Sequence, residues 1–229
     1  LVLADLALLA CLGVAVSGAN LVSIRAFKLG DVSYVAPLNK LVPVFVLPVE
    51  LLVLPVDLGW LQMVGVGVAG VAIYIANYDH GSMLAPVRRA TTYRPAQLAL
   101  VGAVLFAFND VGIRAVLSTT PLAPQTVALF TFAAVALAAL PLALRRADWQ
   151  QLRPALPGLV ALAGLFAVGV HLVTISFARA PASVVSPLVN TQAVVAVLLG
   201  SVLLSEGQLR RRLSAAVLAV AGVALVAAG

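Results

Sequence analysis

Apolar residues run through this chain in long blocks, each closed by a short polar break. Segments 1–27, 32–54, 58–77, 96–117, 121–144, 155–178, 182–204 and 209–228 are each close to the ~20 residues that a membrane-crossing helix needs. Brief turns separate most of them: "KLGD", "PVD", "STTP", "RAP" and "EGQ". Residues 78–95, "YDHGSMLAPVRRATTYRP", are polar and contain Gly81, Pro86 and Pro95. They read as a linker between two bundles. Residues 145–154, "RRADWQQLRP", read as a basic loop with Trp149 at the interface. The pattern predicts an all-α, polytopic membrane protein with eight transmembrane helices.

Composition agrees. Hydrophobic residues make up 63% of the 229 positions and charged residues 10%. Mean hydropathy is +1.13. A soluble domain carries about 25% charged residues, and a water-soluble chain of this length could not hide so much apolar surface. The chain begins at Leu1 inside an apolar run, without Met or a basic lead, so it looks like a chain whose natural start is missing. Cys11 is the single cysteine, which excludes an intramolecular disulfide and a cysteine-ligated zinc cage.

A net charge of +6 and a pI near 10.3 would suit nucleic acid. The placement of the basic residues points to topology instead. Eleven of the 14 Lys and Arg fall in the breaks 1–2, 3–4, 5–6 and 7–8. Arg114 and Arg179 fall on the opposite side, and Lys40 lies within a segment. The bias puts those four breaks in the cytoplasm of a multi-pass inner (plasma) membrane protein. The partners expected are the bilayer and a small-molecule substrate, with no nucleic acid, cofactor or metal.

An internal repeat appears at an offset of about 150 residues. "GANLVSI" (Gly18–Ile24) matches "GVHLVTI" (Gly169–Ile175), and "VSYVAPL" (Val32–Leu38) matches "ASVVSPL" (Ala182–Leu188). Lys28 then falls opposite Arg179, and the turn with Asp57 near the turn with Glu206. The charge count sets Lys28 and Arg179 on different sides, so the two halves cross the membrane in opposite directions. Inverted repeats are typical of secondary transporters, which bind substrate near the midplane between the halves.

The segment "RAPASVVSPLVNTQAVVAVLLGSVLLSEGQLRRRLSAAVLAVAGVALV" (179–226) carries Pro187-Leu188, the acidic turn Glu206-Gly207 and a closing Gly222-Val223. It resembles the last two helices of an EamA-type repeat in the drug/metabolite transporter superfamily. "LGDVSYVAPLNKLVPVFV" is similar to the same element of a first repeat, and helix 96–117 to the opening of a second. The resemblance implies a first repeat over 1–77 with three helices, the linker 78–95, and a second repeat over 96–229 with five. Such proteins usually have ten helices, so two would precede Leu1. It also implies export of small polar metabolites such as amino acids, by alternating access of two inverted bundles.

Polar groups inside the segments mark candidate sites, because each is costly in lipid unless partnered. Lys40 lies near the middle of 32–54 and its repeat-equivalent is Asn190, with Gln192 two residues on. Asn20 and His171 are likewise equivalent. With Tyr34, these residues form the expected central cavity, although snorkelling for Lys40 and a helix–helix hydrogen bond for His171 are equally physical roles. Asn109 and Asp110 offer a proton or ion-pair site. Asp110 precedes Arg114 by four residues, the good orientation for a helix ion pair. Glu50 is about 15 Å along the axis from Lys40 and is expected at the interface. Pro37, Pro43 and Pro187 are expected to kink their helices, which is tolerated where backbone faces protein or a wet cavity. Helix 58–77, with four glycines and no charge, suits tight packing or a homo-oligomer face. No HExxH, GxSxG or paired His is present, so an enzyme is disfavoured. A non-transporting membrane subunit is the alternative.

Overall fold

The computed structural model describes residues 3–30, 35, 38–39, 41–55, 59–77, 92–146, 149–192, 217–218, 221–222 and 225. Every regular element among them is helical: α1 (Leu3–Leu29), α2 (Val42–Val53), α3 (Trp60–Asn77), α4 (Arg94–Thr119), α5 (Pro124–Arg146), α6 (Trp149–Arg179) and α7 (Ala182–Asn190). Among the described residues, four helices are long and apolar enough to cross a membrane: Asp5–Leu29, Arg94–Thr119, Pro124–Arg145 and Leu152–Arg179. The chain is thus a multi-pass, all-helical membrane protein. The predicted segment 209–228 lies outside the described residues, the five near the C-terminus apart, as do residues 78–91 of the linker and all of 193–204.

α4 is the hub of the bundle. It packs along α1 and also touches α2, α6 and α7. The reason is its stripe of small residues. Ala96, Ala99, Ala103 and Ala107 are completely buried. Small side chains let backbones approach, which matters in lipid, where no hydrophobic force drives helices together. At Gly102 the approach is close, since a Cβ there would sit 2.6 Å from the Ser23 hydroxyl of α1. Leu9, Leu12, Val46, Val111, Val116, Val127 and Phe177 complete a core shared by α1, α2, α4, α5 and α6. By contrast, most of α6 from Arg153 to Gly169 is exposed and apolar, as a lipid-facing helix should be.

Two places depart from continuous helices. The predicted segment 32–54 is broken at Leu41: residues 38 and 39 are helical, Leu41 is a turn, and α2 starts at Val42. Pro43 therefore stands in the first turn of α2 rather than as an interior kink, a position where its missing N–H costs nothing. Pro48 is the proline inside that helix. α7 closes in the same manner, with a turn at Thr191 after the interior Pro187. The Thr191 N–H reaches the carbonyls of Pro187 (3.1 Å) and Leu188 (3.2 Å), and its hydroxyl donates to Leu188 at 2.6 Å. The expected basic loop 145–154 is also shorter, because α6 already begins at Trp149.

Candidate functional site: a polar cavity at two helix turns

A cavity of about 380 Å³ opens where the turns at Leu41 and Thr191 approach one another. Asn39 and Val42 flank the first turn, and Val189, Asn190 and Gln192 flank the second. Phe27 of α1 and Phe106 and Asp110 of α4 close the remaining sides. The residues thus come from four stretches of chain. The turns explain why polar groups gather here. Pro43 has no N–H to offer the carbonyl of Asn39, and Pro187 none for that of Ser183. Backbone of this kind is stable at membrane depth only against protein or water.

Asp110 is the anionic group among the described lining residues. Its polar side-chain neighbours are Ser186 of α7 and Asn109. Arg114, the expected helix partner of Asp110, turns elsewhere: Nη1 donates to the carbonyls of Phe177 and Ala178, 3.1 Å each. Three carboxamides, Asn39, Asn190 and Gln192, complete the polar lining. Asn190 Nδ2 donates to the Ser186 carbonyl at 2.8 Å, which leaves its Oδ1 side for another donor. The arrangement offers one carboxylate, several amide donors and acceptors, and two aromatic faces, which suits a small polar or zwitterionic molecule.

The other sequence-derived candidates fall in different places. Asn20 Nδ2 donates to the Val16 carbonyl of its own helix at 2.8 Å, and Asn20 does not line this cavity. His171 is half-buried on α6, also away from the lining. Asn109 is buried, with Oδ1 making no hydrogen bond. Lys40, Tyr34 and Pro37 lie outside the described residues. Asn39 was missed by sequence reasoning. Its signal was the following Pro43, which strips the Asn39 carbonyl of a helical donor.

The family model of the EamA-like transporter family matches residues 94–228, more than half of the chain. The chain belongs to the EamA-like transporter family. No curated protein matches it. Twelve chains of solved structures do. One, a crystal structure of a protein, is 18% identical with a TM-score of 0.74; the match covers 95% of this EamA-like chain and 74% of that one. At that identity the likeness shows the fold alone. Family membership makes the chain a membrane transporter protein with a small-molecule substrate in a lipid setting.

Proposed function

We propose that this EamA-like protein is a secondary transporter that exports small polar metabolites such as amino acids, and that the cavity at the Leu41 and Thr191 turns is its substrate site. One observation carries the reading. The cavity is lined by residues on either side of two turns that stand 150 positions apart in the sequence, the offset of the internal repeat. Asn39 corresponds to Val189, Lys40 to Asn190, and Val42 to Gln192. Interrupted helices meeting at the centre of two repeats are the geometry by which inverted-repeat transporters bind substrate and alternate access. The first repeat is then 1–77, the linker 78–95 and the second repeat 96–229. The basic breaks face the cytoplasm of the inner membrane.

In this site Asp110 receives an ammonium group, and Asn190, Gln192 and Asn39 take the remaining donors and acceptors. Lys40 supplies the charge for a carboxylate. Phe27 and Phe106 shield the pair from lipid and favour the cationic end. The test is flux in proteoliposomes with a panel of radiolabelled amino acids, with and without a pH gradient. The wild type is compared with Asp110→Asn and Lys40→Ala. Substrate-dependent flux that falls in both variants supports the site. Flux unchanged in folded Asp110→Asn removes the site assignment. Absence of flux for the whole panel, with intact purified protein, favours a non-transporting membrane subunit.

A further inference from the structure

The turn between α6 and α7 is held from both sides by charges that belong to neither helix. α7 begins behind Pro181, which supplies no side-chain cap. Glu50 of α2 fills that role from 132 residues away: Oε1 accepts the Ala182 N–H at 2.5 Å and Oε2 accepts the Ser183 N–H at 2.6 Å. Glu50 is 0% exposed. A carboxylate withdrawn from water is tolerated when charge-assisted hydrogen bonds replace its hydration, and the positive end of a helix adds to them. At the other side of the turn, Arg114 of α4 caps the Phe177 and Ala178 carbonyls that end α6. An anion thus sits on a helix start and a cation on a helix end, the sense the helix dipoles favour.

We propose that Glu50 and Arg114 are positioning residues of a gate, which shuts the bundle at the α6–α7 turn and must release for the cavity to reach that face. The inference rests on the transport reading above for what the gate serves. α2 and α7 run between turn and cavity in opposite chain directions. Val42 and Asn190 stand at the cavity, and Glu50 and Ala182 at the turn, eight residues or about 12 Å away in each helix. Between them Pro43, Val46, Val185 and Pro187 are buried, so the two helices close that route while the carboxylate holds them. On the other side of the cavity, Phe27 and Gln192 are exposed. Polar fasteners suit a reversible closure. Entering water replaces both backbone donors at once, so the bonds make and break as a unit. Apolar contacts in lipid have no comparable switch.

The test uses cysteine reporters in a Cys11→Ser background and a membrane-impermeant thiol reagent applied from each face. Ser183→Cys keeps the backbone N–H, and the Ser183 hydroxyl is buried without a hydrogen bond, so the reporter removes no contact of that kind. Glu50→Gln is isosteric but points an amide N–H₂ at one of the two backbone N–H groups. It is expected to raise labelling at Ser183→Cys at least about tenfold, from one face only, an opening shift of ~1.4 kcal/mol. Labelling at Gln192→Cys from the opposite face falls in the same variant, because the two openings exclude each other. Arg114→Gln moves both reporters the same way by a smaller factor, and it carries the test if Glu50→Gln does not fold. A buried control on α1, Val16→Cys, stays unchanged. Unchanged protection at position 183 overturns the gate. So does a rise there without the fall at position 192, or with a matching rise at position 16, since either is mere loosening. None of these readouts needs a substrate, so a failed gate and a failed flux assay are separate results.

Discussion

The two ends of α7 treat polar groups in opposite ways. At its start, both Glu50 oxygens are taken by backbone N–H groups, and Arg114 is bound to the carbonyls that end α6. At its other end, Asp110 and the carboxamides of Asn39, Asn190 and Gln192 face a cavity. Both regions put charge inside an apolar bundle. One consumes it on helix termini, and the other keeps it available to a ligand. Charge alone therefore does not mark a binding site in a membrane protein. What marks it is charge whose hydrogen-bonding capacity the fold leaves partly open.

The comparison breaks most sharply at Glu50. Glu50→Ala strands the Ala182 and Ser183 N–H groups and is expected to cost ~3–5 kcal/mol, read as a large fall in the thermal unfolding midpoint in detergent. A cost below ~1 kcal/mol would show that the start of α7 finds other partners. Arg114→Gln comes next, at about 2 kcal/mol in the same measurement, because two carbonyls lose one charged donor. Asp110→Asn marks the contrast. It leaves the unfolding midpoint within about 1 kcal/mol of wild type yet lowers flux at least about tenfold, equal to ~1.4 kcal/mol of lost binding. A variant that unfolds as Glu50→Ala does would place Asp110 with the structural charges instead. Gly102→Ala tests packing beside the cavity. The added methyl would sit 2.6 Å from the Ser23 hydroxyl, a small group that can rotate, and 3.4 Å from Asn39 Oδ1, so the cost is expected at the low end of overpacking, about 1 kcal/mol, with flux lowered less than in Asp110→Asn. The smallest effect belongs to Asn20→Ala, which removes a bond to its own helix and is expected to shift stability by about 0.5 kcal/mol, with flux unchanged.

The helical segments and their apolar faces were readable because lipid imposes a length and a hydrophobicity on every span. α1, α4 and α5 lie within three residues of their predicted bounds. The bounds slipped where the physics is local. Pro43 was read as a kink, yet a proline is equally at home in the first turn of a new helix, and only the turn at Leu41 distinguishes the two. α6 extends to Trp149 because a polar composition near the interface does not stop a helix. In the cavity, Asp110, Asn190 and Gln192 were singled out as polar residues at membrane depth. Asn39 was not, since it sits beside the more conspicuous Lys40. Asn20 was included for its depth and its repeat-equivalence to His171, and its side chain satisfies itself on the turn below.

Glu50 is the clearest case of what one dimension leaves out. Its position ten residues beyond Lys40 pointed to the interface, and its partners are 132 and 133 residues away. The helix that needs it announces the need in sequence: α7 starts behind Pro181 with no hydroxyl or carboxylate of its own at the cap. What fills that need depends on which helix is its neighbour. By itself, the sequence determined that this chain enters a membrane and roughly where its helices lie, since hydropathy and charge placement act along the chain. Only the tertiary structure decided which buried charges are tied to helix ends and which face a cavity, because a hydrogen bond reaches about 3 Å and its partners come from helices far apart in sequence.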